Sequence, residues 1–336
     1  MKLTPKVQKT LDIAAKLIIA ALSVSYIVYR VSSLPSNQID LFLQSMAGRS
    51  NASAMAVLLV VLMIVNWSIE SLKWKLLIRQ SEEISFRTSF AAILGGLAVS
   101  IFTPNRVGEF VGRVFILTKT DPVKGVMLTI AGSFSQLMAT VMFGTLAYFA
   151  FSANYLIPMT VFSNWVIFGL GLALATVSWM LLMAFFHIPS LRRLVAFLPE
   201  RYLPKISEAV EALAACPKPV LMQVLTLSSL RYMVFSAQFY LMLLLTGLQF
   251  PLMQCAMVIP LIYLAMAAIP TIALTELGVR GSVSVFLFAL LAGAAEPDPN
   301  TTFAVLSAST LIWLLNIALP ALAGVLVVFR LKFFDR

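Results

Sequence analysis

The chain has 336 residues, of which 60% are hydrophobic and only 11% are charged, and its formal net charge is +10. This composition excludes an ordinary soluble domain, which needs more charged residues to cover its surface. The positive charge does not indicate nucleic acid binding, because the Lys and Arg residues lie in short segments beside long apolar runs. We therefore expect an all-α polytopic membrane protein.

Six apolar segments are long enough to cross a bilayer, since a spanning helix needs about 20 residues. In chain order they are residues 11–30, 53–78, 125–151, 161–186, 219–247 and 303–330. Four shorter segments form two adjacent pairs, 88–102 with 106–118 and 253–270 with 280–294. At about 1.5 Å per residue, most of these cannot comfortably cross a hydrocarbon core of about 30 Å. Each pair predicts a re-entrant helical hairpin, although two full crossings would give the same topology.

The distribution of basic residues predicts the orientation of the spans. With the N-terminus in the cytoplasm, 18 Lys and Arg residues fall on the cytoplasmic side, and only Arg30 and Arg49 fall outside. Cytoplasmic loops carry such an excess of positive charge. The sequence therefore predicts a multi-pass protein of the bacterial inner membrane with both termini in the cytoplasm, and a first helix that is retained rather than cleaved as a signal peptide.

The order span, span, hairpin, span occurs twice and predicts two half-repeats, residues 1–152 and 158–336. A Pro-rich cytoplasmic linker at 187–218, which contains an amphipathic segment, joins the halves within a single membrane domain. Three full spans are an odd number, so the second half has inverted topology. Each hairpin break has Pro, then Glu five or six residues on, then Arg four residues later. Interruptions at matching places in inverted repeats often indicate a transport site.

Charged residues in apolar segments are the candidate site, because a charge at the bilayer centre costs at least about 2.5–3.5 kcal/mol. The predicted substrate-binding residues are Arg106, Glu109, Arg113, Arg231, Glu276 and Arg280. A spacing of four residues places the Glu and Arg of each hairpin on one helix face. In each pair, the Glu and Arg charges could simply neutralise each other and have no role in binding. Two such pairs, with Arg106 and Arg231 lacking a partner nearby in sequence, favour a central polar cavity in which Arg binds phosphate.

Other polar residues in the spans have a plainer interpretation. The sequence predicts that Glu70 and Lys73 form a pair at the membrane interface. It also predicts that Gln136, Gln238 and Asn316 either line a cavity or form hydrogen bonds between helices. We expect no catalytic residue, metal or cofactor, because the chain has no nucleophile–base constellation, metal-ligand spacing or Gly-rich phosphate loop.

The first hairpin carries a family resemblance. Residues 103–109, with the sequence TPNRVGE, together with Arg113 resemble the Pro–Gly–Glu–Arg signature of the lysylphosphatidylglycerol synthase transmembrane-region family, also called the flippase-like domain family. Residues 72–77 and 276–280 fit the same pattern. The two-domain members of this family have a membrane region that translocates an aminoacylated phospholipid and a cytosolic domain that attaches the amino acid from charged transfer RNA. The resemblance implies that this chain is similar to the membrane region. The longest polar stretch here is 187–218, so we expect no synthase activity.

The predicted function is a non-enzymatic lipid translocator, which moves a phospholipid, aminoacylated or not, between leaflets through the polar cavity. Its predicted partner is the membrane lipid itself, with a second copy of the chain or a protein of envelope synthesis as further candidates, and no nucleic acid. Three alternatives stay open. They are a translocator of a polyprenyl-phosphate or glycolipid carrier, a non-catalytic accessory subunit of envelope lipid synthesis, and a membrane enzyme acting on a lipid carrier.

Overall fold

The computed structural model describes residues 5–32, 51–101, 103, 107–159, 162–187, 216–248, 250–269, 273–293 and 299–329. Within these ranges the chain is helical and contains no strand. The described residues form ten helices: α1 (Pro5–Ser32), α2 (Ala52–Ile78), α3 (Phe86–Ser100), α4 (Gly108–Val114), α5 (Pro122–Met159), α6 (Asn164–Phe186), α7 (Lys218–Leu245), α8 (Leu252–Ala268), α9 (Ala273–Leu291) and α10 (Pro299–Val328). Helices α5 and α10 each include a π-helical turn, at Ser152–Leu156 and Leu314–Ala318.

Five helices are long and apolar enough to cross a membrane, namely α2, α5, α6, α7 and α10. They correspond to five of the six spans predicted from the sequence. The remaining predicted span, 11–30, lies in α1, a helix of 28 residues whose apolar part, Lys16–Ser25, is shorter.

The four shorter predicted segments correspond to α3, α4, α8 and α9. Helix α4 has only seven residues, whereas α9 has 19 and begins at Ala273, before the predicted start at residue 280. The prediction began too late because it followed apolar residues, and Glu276 and Arg280 occupy the first turns of α9. The predicted breaks include residues 104–106 and 270–272, and the predicted linker 187–218 includes residues 188–215, and all of these lie outside the described residues.

Each hairpin region packs against a helix that is distant in sequence. Helix α3 contacts the last part of α10, and α8 contacts α5. Helix α1 also packs on the last part of α10, and α6 packs on α5. Helices α2 and α7 contact each other along much of their length. The long helices therefore frame both pairs of shorter helices.

Two glycines allow α3 and α4 to approach closely. A Cβ atom on Gly112 would lie 2.7 Å from the Cα of Gly96, and a Cβ atom on Gly96 would lie 3.0 Å from the backbone oxygen of Glu109. Small residues let the backbones of membrane helices pack closely. This contact fixes the face of α4 that carries Glu109 and Arg113.

The buried apolar side chains form two main clusters with polar residues between them. On α7, Val224 belongs to one cluster and Phe239 to the other, and Arg231 lies between the two. On α2, Leu59 and Trp74 likewise belong to different clusters. Arg231 therefore lies in a polar layer between two apolar cores.

Candidate functional site

Glu70, in α2, lies at the centre of a group of buried charges, which we call the Glu70 cluster. Its carboxylate lies 2.7 Å from Lys73 Nζ, 3.0 Å from Arg113 Nη1 and 3.0 Å from Arg231 Nη1. The side chains of Glu70, Lys73 and Arg113 are at most 3% exposed. Arg113 also donates to Glu109, one turn earlier in α4. Because an uncompensated buried charge is very costly, these ion pairs hold α2, α4 and α7 together.

Arg231, near the middle of α7, is held by several groups besides Glu70. Its Nε donates to Asn66 Oδ1 at 2.9 Å, and its Nη1 donates to Gln136 Oε1 at 3.4 Å. The guanidinium carbon lies 5.0 Å from the centre of the Trp67 ring, within cation–π range. Asn316, in α10, accepts from Asn66 Nδ2 at 3.3 Å and, through its backbone oxygen, from Trp67 Nε1 at 3.1 Å. Side chains of α2 and α5 therefore hold the Arg231 guanidinium directly, and α10 supports two of the α2 side chains that contact it.

Arg231 and Arg280 line one cavity of about 160 Å³, which we call the central cavity. Its wall also includes Tyr263 from α8 and Asn316 from α10. At about 30 Å³ per water molecule, it holds about five waters. Arg280 pairs with Glu276 one turn earlier in α9, with Nη2 2.6 Å from Oε1. The two charged residues on the described wall of this cavity, Arg231 and Arg280, thus come from α7 and α9, whereas Glu109 and Arg113 of α4 do not line it.

Cations outnumber carboxylates in this region. Among the described residues, the Glu70 cluster and the α9 pair include four cations and three carboxylates: Lys73, Arg113, Arg231, Arg280, Glu70, Glu109 and Glu276. The buried Nε of Arg280 has no hydrogen-bond acceptor among the described residues. The excess of positive charge makes the cavity better suited to an anion than to a cation.

The structure brings together most of the candidate residues that it describes. The pairs Glu109–Arg113 and Glu276–Arg280 form as their four-residue spacing predicts. Arg231, for which the sequence suggested no partner, forms an ion pair with Glu70. Arg113 lies behind Glu70 rather than on the cavity wall, and it reaches the cavity only through the Glu70–Arg231 contact. Arg106 lies outside the described residues.

Glu70 is the functional candidate that sequence reasoning missed. Its predicted pairing with Lys73 is confirmed, and both side chains are buried within the protein, whereas the predicted position at the membrane interface stays a prediction. Lys75 and Arg79 follow Glu70 closely in sequence, which favoured a solvated position for Glu70. In the structure, α4 and α7 cover this part of α2. The available signal was that Glu70 is the only acidic residue in a 27-residue apolar helix.

For Gln136, Gln238 and Asn316, the sequence left two interpretations open, a place on a cavity wall or hydrogen bonds between helices. Asn316 lines the central cavity, and Gln136 bonds to Arg231 while its Nε2 donates to the Ser228 backbone oxygen at 3.2 Å. Gln238 donates to the Leu59 backbone oxygen at 3.3 Å and so links α7 to α2. Of the three, Gln136 and Gln238 form hydrogen bonds between helices, and only Asn316 is on the described wall of the cavity.

Comparison with known families supports the resemblance seen in the sequence. The family described as "Lysylphosphatidylglycerol synthase TM region" matches residues 13–324, which is nearly the whole chain. No curated protein compared with the chain matches it. Together with the five apolar helices of spanning length, the family match identifies a multi-pass membrane protein.

Proposed function

Because the chain belongs to the lysylphosphatidylglycerol synthase transmembrane-region family, we propose that it is a membrane lipid translocator. The substrate is a phospholipid, aminoacylated or not, whose headgroup crosses the bilayer by way of the central cavity. The protein acts without covalent chemistry, so we propose that it is not an enzyme. We place it in the bacterial inner membrane with both termini in the cytoplasm, as the distribution of Lys and Arg predicts.

The observation that carries this proposal is the pair of guanidinium groups, Arg231 and Arg280, on the wall of one cavity. The planar guanidinium matches phosphate oxygens with two parallel hydrogen bonds. A phosphate there would also balance the excess cation of the surrounding residues. Glu70 and Glu276 keep the two Arg side chains in position through ion pairs of 3.0 and 2.6 Å.

Contacts between the helices support the proposal of two inverted half-repeats, 1–152 and 158–336, each with three spans and a re-entrant hairpin. In this assignment α3 corresponds to α8, and α5 corresponds to α10. Helix α3 packs on α10 while α8 packs on α5, so each hairpin contacts the last span of the other half. The first span of each proposed half likewise contacts the last span of the other half, since α1 packs on α10 and α6 packs on α5. A two-fold relation between halves produces such reciprocal contacts.

The central cavity is too small for a whole phospholipid, since pockets for drug-sized ligands have volumes of about 300–1,000 Å³. We therefore propose that only the headgroup enters the cavity and that the halves rock against each other to expose it to each leaflet in turn. The contact between α2 and α7 joins the two proposed halves. The Glu70–Arg231 ion pair lies in that contact and would re-form after each movement.

The experiment that tests this function is translocation of fluorescent phosphatidylglycerol in vesicles containing the purified protein, read by chemical quenching of the outer leaflet. We expect Arg280→Gln to slow translocation at least tenfold relative to wild type. Arg87→Gln, at an exposed position near the start of α3, is the matched control and should translocate normally. A wild-type rate in folded Arg280→Gln protein would contradict the proposal.

A double variant separates phosphate binding from simple structural pairing. Glu276→Gln combined with Arg280→Gln removes both charges, so no uncompensated charge is left buried. If the pair only holds the hairpin in place, the double variant should regain activity along with stability. If Arg280 binds the headgroup, the double variant should regain stability but stay inactive.

The same vesicles identify the lipid. Parallel assays use labelled phosphatidylglycerol, an aminoacylated phosphatidylglycerol and a polyprenyl phosphate. All three lipids present a phosphate to the Arg residues, so a preference among them reports on the rest of the lipid. Movement of the polyprenyl phosphate alone would favour the carrier-lipid alternative. Chemical conversion of any of these lipids by the purified protein would show instead that the protein is a membrane enzyme.

A further inference from the structure

A second, larger cavity lies between α2 and α7, outside the Glu70 cluster. It is an open groove of about 920 Å³ lined by the last turns of α2 and the first turns of α7. We call it the lateral groove. Its volume is at the upper end of the range for small-molecule sites. Neither the central cavity nor any candidate residue from the sequence accounts for it.

The lateral groove is polar at one end and apolar along its length. Lys75 and Arg79 lie near the end of α2, and Leu72 and Leu76 alternate with them on the same wall, so that Arg79 is furthest along the helix. Met222, from α7, adds a third apolar side chain, and it is 53% exposed. At about 1.5 Å per residue, Arg79 lies about 10 Å beyond Leu72 along the helix axis. This arrangement matches a molecule with a charged head and an apolar chain.

The charged residues on the groove wall indicate which kind of lipid headgroup binds there. Among the described residues that line the groove, the charged ones are Lys75, Arg79 and the carboxylate Glu83. Glu83 Oε1 lies 3.5 Å from Arg79 Nε, and both side chains are largely exposed, at 79% and 66%. Exposed pairs of this kind contribute little, about 0–1 kcal/mol, so an incoming phosphate can displace the carboxylate. A net positive rim above an apolar wall favours an anionic lipid.

We propose that the lateral groove is a docking site for one anionic phospholipid, with its phosphate on Lys75 and Arg79 and an acyl chain along Leu72, Leu76 and Met222. Docking itself does not depend on translocation. The groove and the central cavity lie along the same two helices, and Thr226 in the groove is about 8 Å along α7 from Arg231 in the cavity. Delivery of the docked lipid to the cavity rests on the proposed function.

Binding is measured by native mass spectrometry of the full-length protein in neutral detergent, titrated with phosphatidylglycerol or with zwitterionic phosphatidylcholine. We expect wild type to prefer phosphatidylglycerol. Lys75→Gln with Arg79→Gln should weaken phosphatidylglycerol binding about tenfold or more, since each cation near a membrane surface attracts anionic lipid by about 1 kcal/mol. Arg87→Gln with Lys119→Gln removes two exposed cations outside the groove and should leave binding unchanged.

A second pair of variants tests the apolar part of the site. Thr226 and Thr176 are both exposed, and each hydroxyl donates to a backbone oxygen one turn earlier. Thr226→Trp fills the groove and should reduce binding, whereas Thr176→Trp on α6 should not.

The proposal is overturned if the Lys75/Arg79 variant binds phosphatidylglycerol as well as the Arg87/Lys119 control does. It is also overturned if Thr226→Trp binds as well as Thr176→Trp. Either result would indicate unspecific lipid on the protein surface. This measurement contains no translocation step. Failure of the Arg280 experiment would therefore leave the docking site intact, and loss of docking would leave the Arg280 result intact.

Discussion

Glu70→Gln tests whether the Glu70 cluster holds the helices together. The substitution keeps the size of the side chain but removes the one negative charge that contacts Lys73, Arg113 and Arg231 within 3.0 Å. Among the described residues, the Arg113–Glu109 ion pair then remains in the cluster. Removing one member of a buried ion pair typically costs 3–5 kcal/mol, because the partner is left charged in a poorly solvated place. With three partners affected, we expect destabilisation of at least about 3–5 kcal/mol.

The assay is unfolding of the purified protein in mixed detergent micelles, followed by tryptophan fluorescence. Glu83→Gln is the matched control, because its contact with Arg79 is solvent-exposed and should contribute less than about 1 kcal/mol. Combining Glu70→Gln with Lys73→Gln should recover part of the loss, since residues in one network do not act additively. If Glu70→Gln is as stable as Glu83→Gln, the cluster does not hold the helices together and the reasoning fails.

Two further predictions concern packing and pH. Gly112→Ala places a Cβ atom 2.7 Å from the Gly96 backbone and should cost about 1–3 kcal/mol in the same unfolding assay, whereas Gly169→Ala, with open space around it, should be neutral or slightly stabilising. For Glu82, burial favours the neutral acid, but hydrogen bonds from the backbone N–H groups of residues 118–120 and from the Thr118 hydroxyl outweigh it and lower the pKa to about 2. The carboxylate therefore stabilises the fold above its ordinary pKa of 4.5, and the stability advantage of wild type over Glu82→Gln should shrink as the pH falls from about 4.5 towards 2. A constant advantage over that range would contradict this assignment, and a similar loss of stability in both Gly variants would contradict the packing argument.

The fold could be predicted from sequence where apolar length decides it. Five of the predicted spans correspond to helices because 20 or more apolar residues satisfy both the bilayer and the backbone. The start of α9 was not predicted well, since the charged residues Glu276 and Arg280 resemble a loop until their pairing is known. Arg106, the turns and the linker remain predictions, because they lie outside the described residues.

The local part of the site was also predictable. Spacing of four residues on a helix is enough to pair Glu109 with Arg113 and Glu276 with Arg280. The role of Glu70 was not, because its partners Arg113 and Arg231 are 43 and 161 positions away in the chain.

The sequence by itself determined that the chain is a multi-pass membrane protein, where five apolar helices of spanning length lie, and which charges pair within one helix. These properties depend on composition and on spacings of a few residues, so they are written locally in the chain. Only the tertiary structure decided that Arg231 and Arg280 share a cavity, that Glu70 joins three helices, and that α2 and α7 enclose the lateral groove. Those relations depend on which helix faces meet, and close contacts such as Gly96 with Gly112 fix that choice between residues distant in the chain.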